Sequence, residues 1–109
     1  MWVIYSLAGP GKHNTLIMDI DDDLSAYHEL LDCTHIHIVR LPNHPDIAII
    51  HDDEGKIAGR EPNLRYGNDV LVGPLIFAGV KGEDLCELSD EQIEIVMDYI
   101  QKNQWEWTK

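Results

Sequence analysis

The chain has 109 residues, and its apolar and charged fractions, 44% and 26%, are those of one folded domain over residues 1–109 with an ordinary core. Twenty acidic residues against eight basic ones give a formal net charge of −12, a surface that repels DNA, RNA and anionic membranes at long range. Cys33 and Cys86 stand far apart, outside any C-x-x-C spacing, which excludes a zinc ribbon and a thioredoxin-type site and leaves buried free thiols as the expectation.

Met1 leads directly into a strand-like run, with no basic leader and no apolar stretch long enough for a membrane span, so the expected compartment is the cytoplasm. Residues 2–7 (Trp-Val-Ile-Tyr-Ser-Leu) read as a strand ended by the breaker Gly9-Pro10-Gly11. Residues 14–20 read as a second strand, close enough to form a hairpin with the first. Asp21-Asp22-Asp23 then precede Leu24, Tyr27, Leu30 and Leu31 at helical spacing. Aspartates cap such a helix and favour its positive end, and the loop spacing of a calcium site is absent.

Residues 33–41 alternate as a strand that puts His35 and His37 on one face. No third metal ligand accompanies them, so exposed strand histidines are expected. Pro42 and Pro45 mark a turn, and residues 47–51 form a strongly apolar strand. Asp52-Asp53-Glu54-Gly55-Lys56 is turn chemistry, after which Ile57 and Ala58 would resume a short strand. Residues 59–69 read as polar and irregular. Residues 70–80 read as one last apolar strand, bent or bulged at Gly73-Pro74.

Ser89-Asp90-Glu91-Gln92 has the form of a capping box. The helix it starts presents Ile93, Val96, Met97, Ile100 and Gln104 on one face, expected to pack on the sheet. Trp105 and Trp107 follow, either covering the core edge or forming the contact surface of a homo-oligomer. The fold class is therefore α+β: a small mixed or antiparallel sheet of about five strands with two helices, the C-terminal one packed on the sheet.

The scarce positive charge concentrates in residues 52–69, where Lys56, Arg60 and Arg65 fall close together beside Asn63, Tyr66 and Asn68. Arginine grips phosphate bidentately, asparagine reads a base edge, and tyrosine stacks on a base. Arg60, Asn63, Arg65, Tyr66 and Asn68 are thus the candidate ligand-binding residues, for a small anionic ligand of nucleotide type. The ordinary alternative is that the arginines pair with neighbouring carboxylates such as Glu61 and Asp69. No G-x-x-x-x-G-K-[ST], G-x-S-x-G or H-E-x-x-H motif occurs, and no catalytic residue, metal site or cofactor is expected. A binding protein is expected rather than an enzyme.

The order of these parts resembles the family of domain of unknown function 3846. The match lies in the N-terminal hairpin, the helix after acidic residues, and the hairpin turn Asp53-Glu54-Gly55-Lys56. It continues through Pro62-Asn63-Leu64-Arg65, Val70-Leu71-Val72-Gly73 and the helix start Leu88-Ser89-Asp90-Glu91-Gln92. Leu71 stands where the pattern has valine, and Pro74 where a small or hydroxyl residue is expected. The resemblance implies a phage, plasmid or Gram-positive bacterial setting and no particular activity. In such a setting the expected role is to counter host defence, by sequestering a nucleotide-type signal. The alternative is an acidic inhibitor that blocks a basic surface on a host nuclease or regulator, in the manner of a nucleic-acid mimic.

Overall fold

Alternation along β1 (Trp2–Leu7) sends Val3 to one face of a sheet and Ile4 to the other, and both are fully buried. In β4 (His44–Asp52) and β7 (Leu75–Lys81) the apolar runs are continuous: Ile47 to Ile50 and Leu75 to Ala78 are all inaccessible. A strand needs such a run only when both its faces are covered. The computed structural model describes residues 1–8 and 14–105, and its main sheet is covered in this way.

The sheet also holds β2 (Asn14–Asp19), β3 (Ile36–Leu41) and, on β7, the short β8 (Asp84–Cys86). The strand order is β2-β1-β7-β4-β3, and every pairing is antiparallel. Helix α1 (Leu24–Leu31) lays Tyr27 and Leu31 on Val3, Ile50, Ile76 and Ala78. Asp23 caps it by accepting the Ala26 N–H at 2.8 Å, and Asp22 takes the Tyr27 hydroxyl, so this acidic run does the helix-start work its sequence predicts.

Helix α2 (Asp90–Asn103) covers the opposite face, packing Val96 and Ile100 on Ile4, Ile47, Ile49 and Phe77. Its capping box is complete: Ser89 accepts the Gln92 N–H at 3.1 Å, and Gln92 accepts the Ser89 N–H at 2.9 Å. Sharing that face is a separate hairpin of β5 (Pro62–Tyr66) and β6 (Asp69–Val72), whose Leu64 and Leu71 join the same core.

The fold is α+β as expected, with the C-terminal helix on the sheet, but several elements differ from the sequence reading. Residues 59–69 are not all irregular, since β5 lies within them. Residues 70–80 are two strands in different sheets. Gly73, at φ 74°, donates its N–H to the Glu61 carbonyl at 2.7 Å and turns the chain out of the hairpin and into the main sheet. Ile57 and Ala58 form no strand. They lie in a helical turn closed by Ala58 N–H to Glu54 O at 2.9 Å, and Ile57 is 89% exposed. β8 has no counterpart in the sequence reading. His35 precedes β3 and contacts Glu54 at 3.1 Å, while His37 meets His51 across the β3–β4 pair. The breaker at residues 9–11 and Trp107 lie outside the described residues.

Gly79 joins these layers. A Cβ there would stand 2.8 Å from the Glu87 carbonyl oxygen, 3.0 Å from Cys86 Sγ and 3.2 Å from Gln92 Oε1. Gln92 also donates to the Asp46 carboxylate at 2.9 Å, so the missing side chain lets the start of α2 seat on β7. Gly79→Ala is expected to lower stability by about 1–3 kcal/mol through overpacking, seen as an earlier denaturant midpoint at unchanged slope.

Candidate functional site

Residues 52–69 are organised by the carboxylate of Asp52, at the buried end of β4. Its Oδ1 accepts the Glu54 N–H at 2.9 Å and its Oδ2 accepts Arg60 Nε–H at 2.6 Å. The Arg60 guanidinium also donates through Nη2 to the Asp32 carbonyl that ends α1. Its stem covers Gly73, where a Cβ would come within 2.7 Å of Arg60 Cδ. One side chain thus ties together the 53–59 turn, α1 and the crossing between the two sheets.

Asn63 is buried and equally engaged. Its Nδ2 donates to the carbonyls of Ser6 and Gly73 at 3.2 and 2.9 Å, and its Oδ1 accepts the Ser6 hydroxyl at 3.4 Å. Its own carbonyl accepts the Trp105 N–H at 3.0 Å, which draws the chain after α2 along β5. The half-buried Tyr66 donates its hydroxyl to the Arg40 carbonyl at 2.7 Å. Arg65 is exposed, with its guanidinium carbon 5.7 Å from the Trp105 ring centre. Asn68 sits exposed in the turn between β5 and β6. Lys56 pairs with Asp69, and that hydrogen bond, with one from the Val70 N–H, holds the Asp69 carboxyl below its usual range.

The five candidate residues therefore do not converge. Arg60 reaches into the layer of α1, Arg65 lies beside the end of α2, and Asn63 faces inward between strands. No group of three or more His, Cys, Asp or Glu side chains among the described residues is arranged to hold a metal ion. No helix among them is long and apolar enough to cross a membrane.

The sequence reading passed over a second surface, on the outer side of α2. Val96 and Ile100 of the predicted apolar face are buried, but Met97 is 38% exposed and Ile93 only half-buried. Ile93, Met97 and Gln104 line a shallow groove of about 470 Å³ with Glu94, Asp98 and Gln101. Ile93 also lines a neighbouring hollow of about 420 Å³, with Trp2, Ile17, Glu87 and Asp90. The signal was present as an apolar helical stripe wider than one buried contact needs.

A model of the family Domain of unknown function (DUF3846) matches residues 6–102. The chain belongs to this family. No curated protein and no solved structure gives a significant match. The part matched to DUF3846 takes in the whole 52–69 segment and nearly all of α2, whereas Trp2 lies outside it. Membership of DUF3846 carries no activity with it, so function has to be argued from these two surfaces.

Two predictions follow from the geometry. Arg60→Met leaves Asp52 buried without its cation and should destabilise the fold by about 3 kcal/mol. Urea unfolding would measure this, and Asp52→Asn in the same chain should recover much of the loss. His51 gives a pH dependence. Its Nε2 is buried with no hydrogen-bond partner among the described residues, and the His37 ring lies edge-on with centroids 5.2 Å apart. Burial, aided by His37 and opposed by Asp52 and Asp53, pushes its pKa below the ordinary 6.5. The unfolded chain then takes up the proton more readily, so this contribution is complete above 6.5 and declines as pH falls through it. Stability should fall less between about pH 7.5 and 5.5 in His51→Gln than in the parent chain.

Proposed function

We propose that the chain is a non-enzymatic binding protein that presents its carboxylates to a basic surface on a protein partner, in the manner of a nucleic-acid mimic. The observation that carries this reading is where the charge lies. Between Lys81 and Lys102 the chain exposes seven carboxylates, on Glu83, Asp84, Glu87, Asp90, Glu91, Glu94 and Asp98, with no cation among them. Among the described residues, three cations outside this stretch are engaged with carboxylates: Arg60 with Asp52, Lys56 with Asp69, and Lys102 with Asp98 at 3.0 Å. An acidic surface so weakly compensated steers a basic partner and repels nucleic acid.

Sequestration of a nucleotide-type signal by Arg60, Asn63 and Arg65 is the less supported reading. It requires Arg60 to leave Asp52, and it requires the buried Asn63 amide to abandon two carbonyls. In the phage or mobile-element setting that the family resemblance implies, the fitting partner is a host nuclease or regulator with a basic face. Blocking it would counter defence.

The test is capture from bacterial lysate on the immobilised chain, followed by titration of the purified partner. The expected partner has a basic surface, and its affinity falls about ten-fold or more as salt rises from about 0.05 to 0.3 M. A parallel thermal-shift screen with cyclic and ADP-ribose-derived nucleotides is expected to give no shift. Salt-independent partner binding, or a nucleotide that raises Tm, would overturn the reading.

A further inference from the structure

Ile17 and Ile4 are register partners on β2 and β1, so they share the sheet face that α2 covers. Ile4 is fully buried there, but Ile17 is 52% exposed, because α2 stops short of the edge strand. Trp2, two residues before Ile4 on the same face, is 47% exposed. These side chains continue into Ile93 and Met97 on α2 through the two adjoining hollows. The result is an apolar seam running from the sheet edge along the helix. Glu87 and Asp90 border its first part, Glu94 and Asp98 its second. Asp90, Glu94 and Asp98 recur every four residues, so they stand in one row on one flank of the helix. Lys102 compensates only Asp98.

We infer that this seam is the docking groove for a basic amphipathic helix of a protein partner. The inference rests on the reading that the chain binds a basic protein surface, and it names the place and the chemistry. Charge complementarity selects the occupant. A second copy of the chain would bring one acidic rim against another, and like charges so placed cost an interface heavily. Nucleic acid meets the same repulsion and gains nothing from the apolar floor. A segment with lysine or arginine on one side and leucine-like anchors on the other satisfies floor and rim together. At 1.5 Å per residue, α2 offers a track about 20 Å long, which matches a partner helix of about four turns with anchors at i, i+3, i+4 and i+7.

The probe is a fluorescent peptide of about 18 residues with leucines at helical spacing and lysines elsewhere, titrated into the full chain by anisotropy. A peptide of identical composition in scrambled order is the control. The parent chain is expected to bind the amphipathic peptide at least about ten-fold more tightly than the scrambled one. Met97→Gln, which keeps helix propensity, should weaken binding about five-fold. Glu87→Lys with Glu94→Lys should weaken it about ten-fold and flatten its salt dependence. Circular dichroism and the unfolding midpoint confirm that both variants stay folded. Equal affinity for the two peptides, or variants that bind as the parent does, would overturn the groove. The partner captured from lysate separates the two levels. If its salt-dependent binding is unchanged by Met97→Gln but weakened by Glu87→Lys with Glu94→Lys, the groove fails and the acidic-surface reading stands. If no salt-dependent basic partner is captured at all, the acidic-surface reading fails as well.

Discussion

The pairing of Arg60 with Asp52 is the constraint on which both the loop and the surface depend. A carboxylate at the buried end of β4 is costly unless a cation and N–H donors surround it. The helical turn after Asp52 exists in the form that brings Arg60 back to it, eight residues on, at 2.6 Å. From there the guanidinium reaches the carbonyl of Asp32, which caps the end of α1, and its stem closes over Gly73, the point where the chain leaves the small hairpin for the main sheet. Asn63 completes the junction by holding Ser6 and Gly73 from the other side. A cation that seemed available to a ligand is thus a structural clamp, and the protein's exterior is left more acidic for it.

The parts legible in the sequence were those specified locally. β1 and β2 follow from alternation and their spacing, α1 from apolar residues at helical spacing behind Asp23, and α2 from the reciprocal bonds of Ser89 and Gln92. The illegible parts rest on partners distant in the chain. β5 contains Pro62 and Asn63, both poor strand formers, and it exists because Asn63 finds two carbonyls, one of them 57 residues away. The break at Gly73 is hidden inside an apolar run, since periodicity reports burial and not which sheet does the burying. The five proposed binding residues were correctly seen as unusual in composition. For Arg60 and Asn63 that composition reflects the packing of a polar crossing between two sheets.

The outer surface of α2 shows the same limit from the opposite direction. The stripe of Ile93, Val96, Met97, Ile100 and Gln104 is continuous in sequence, and a helix packed on a broad sheet would bury all of it. Here the sheet edge lies beyond the helix, so Val96 and Ile100 are covered while Met97 and Ile17 are not. Exposed apolar side chains are common singly and need no explanation. Three of them, Trp2, Ile17 and Met97, lining adjoining hollows beside the half-buried Ile93 and bordered by carboxylates, form a patterned surface.

That pattern bears on how so acidic a chain could be selective. Charge alone attracts every basic protein and discriminates poorly among them, because long-range attraction sets association rate more than fit. Selectivity needs a floor that rewards one arrangement of apolar groups and a rim that penalises a misplaced one. Trp2 supplies a broad rigid apolar contact and Met97 an adaptable one, and the row from Asp90 to Asp98 fixes which side of a partner helix must be basic. Because Ile57 on the opposite loop is more exposed than any of these yet stands among turn residues, exposure by itself does not mark the site. What marks it is apolar surface and uncompensated carboxylate on the same few turns of α2.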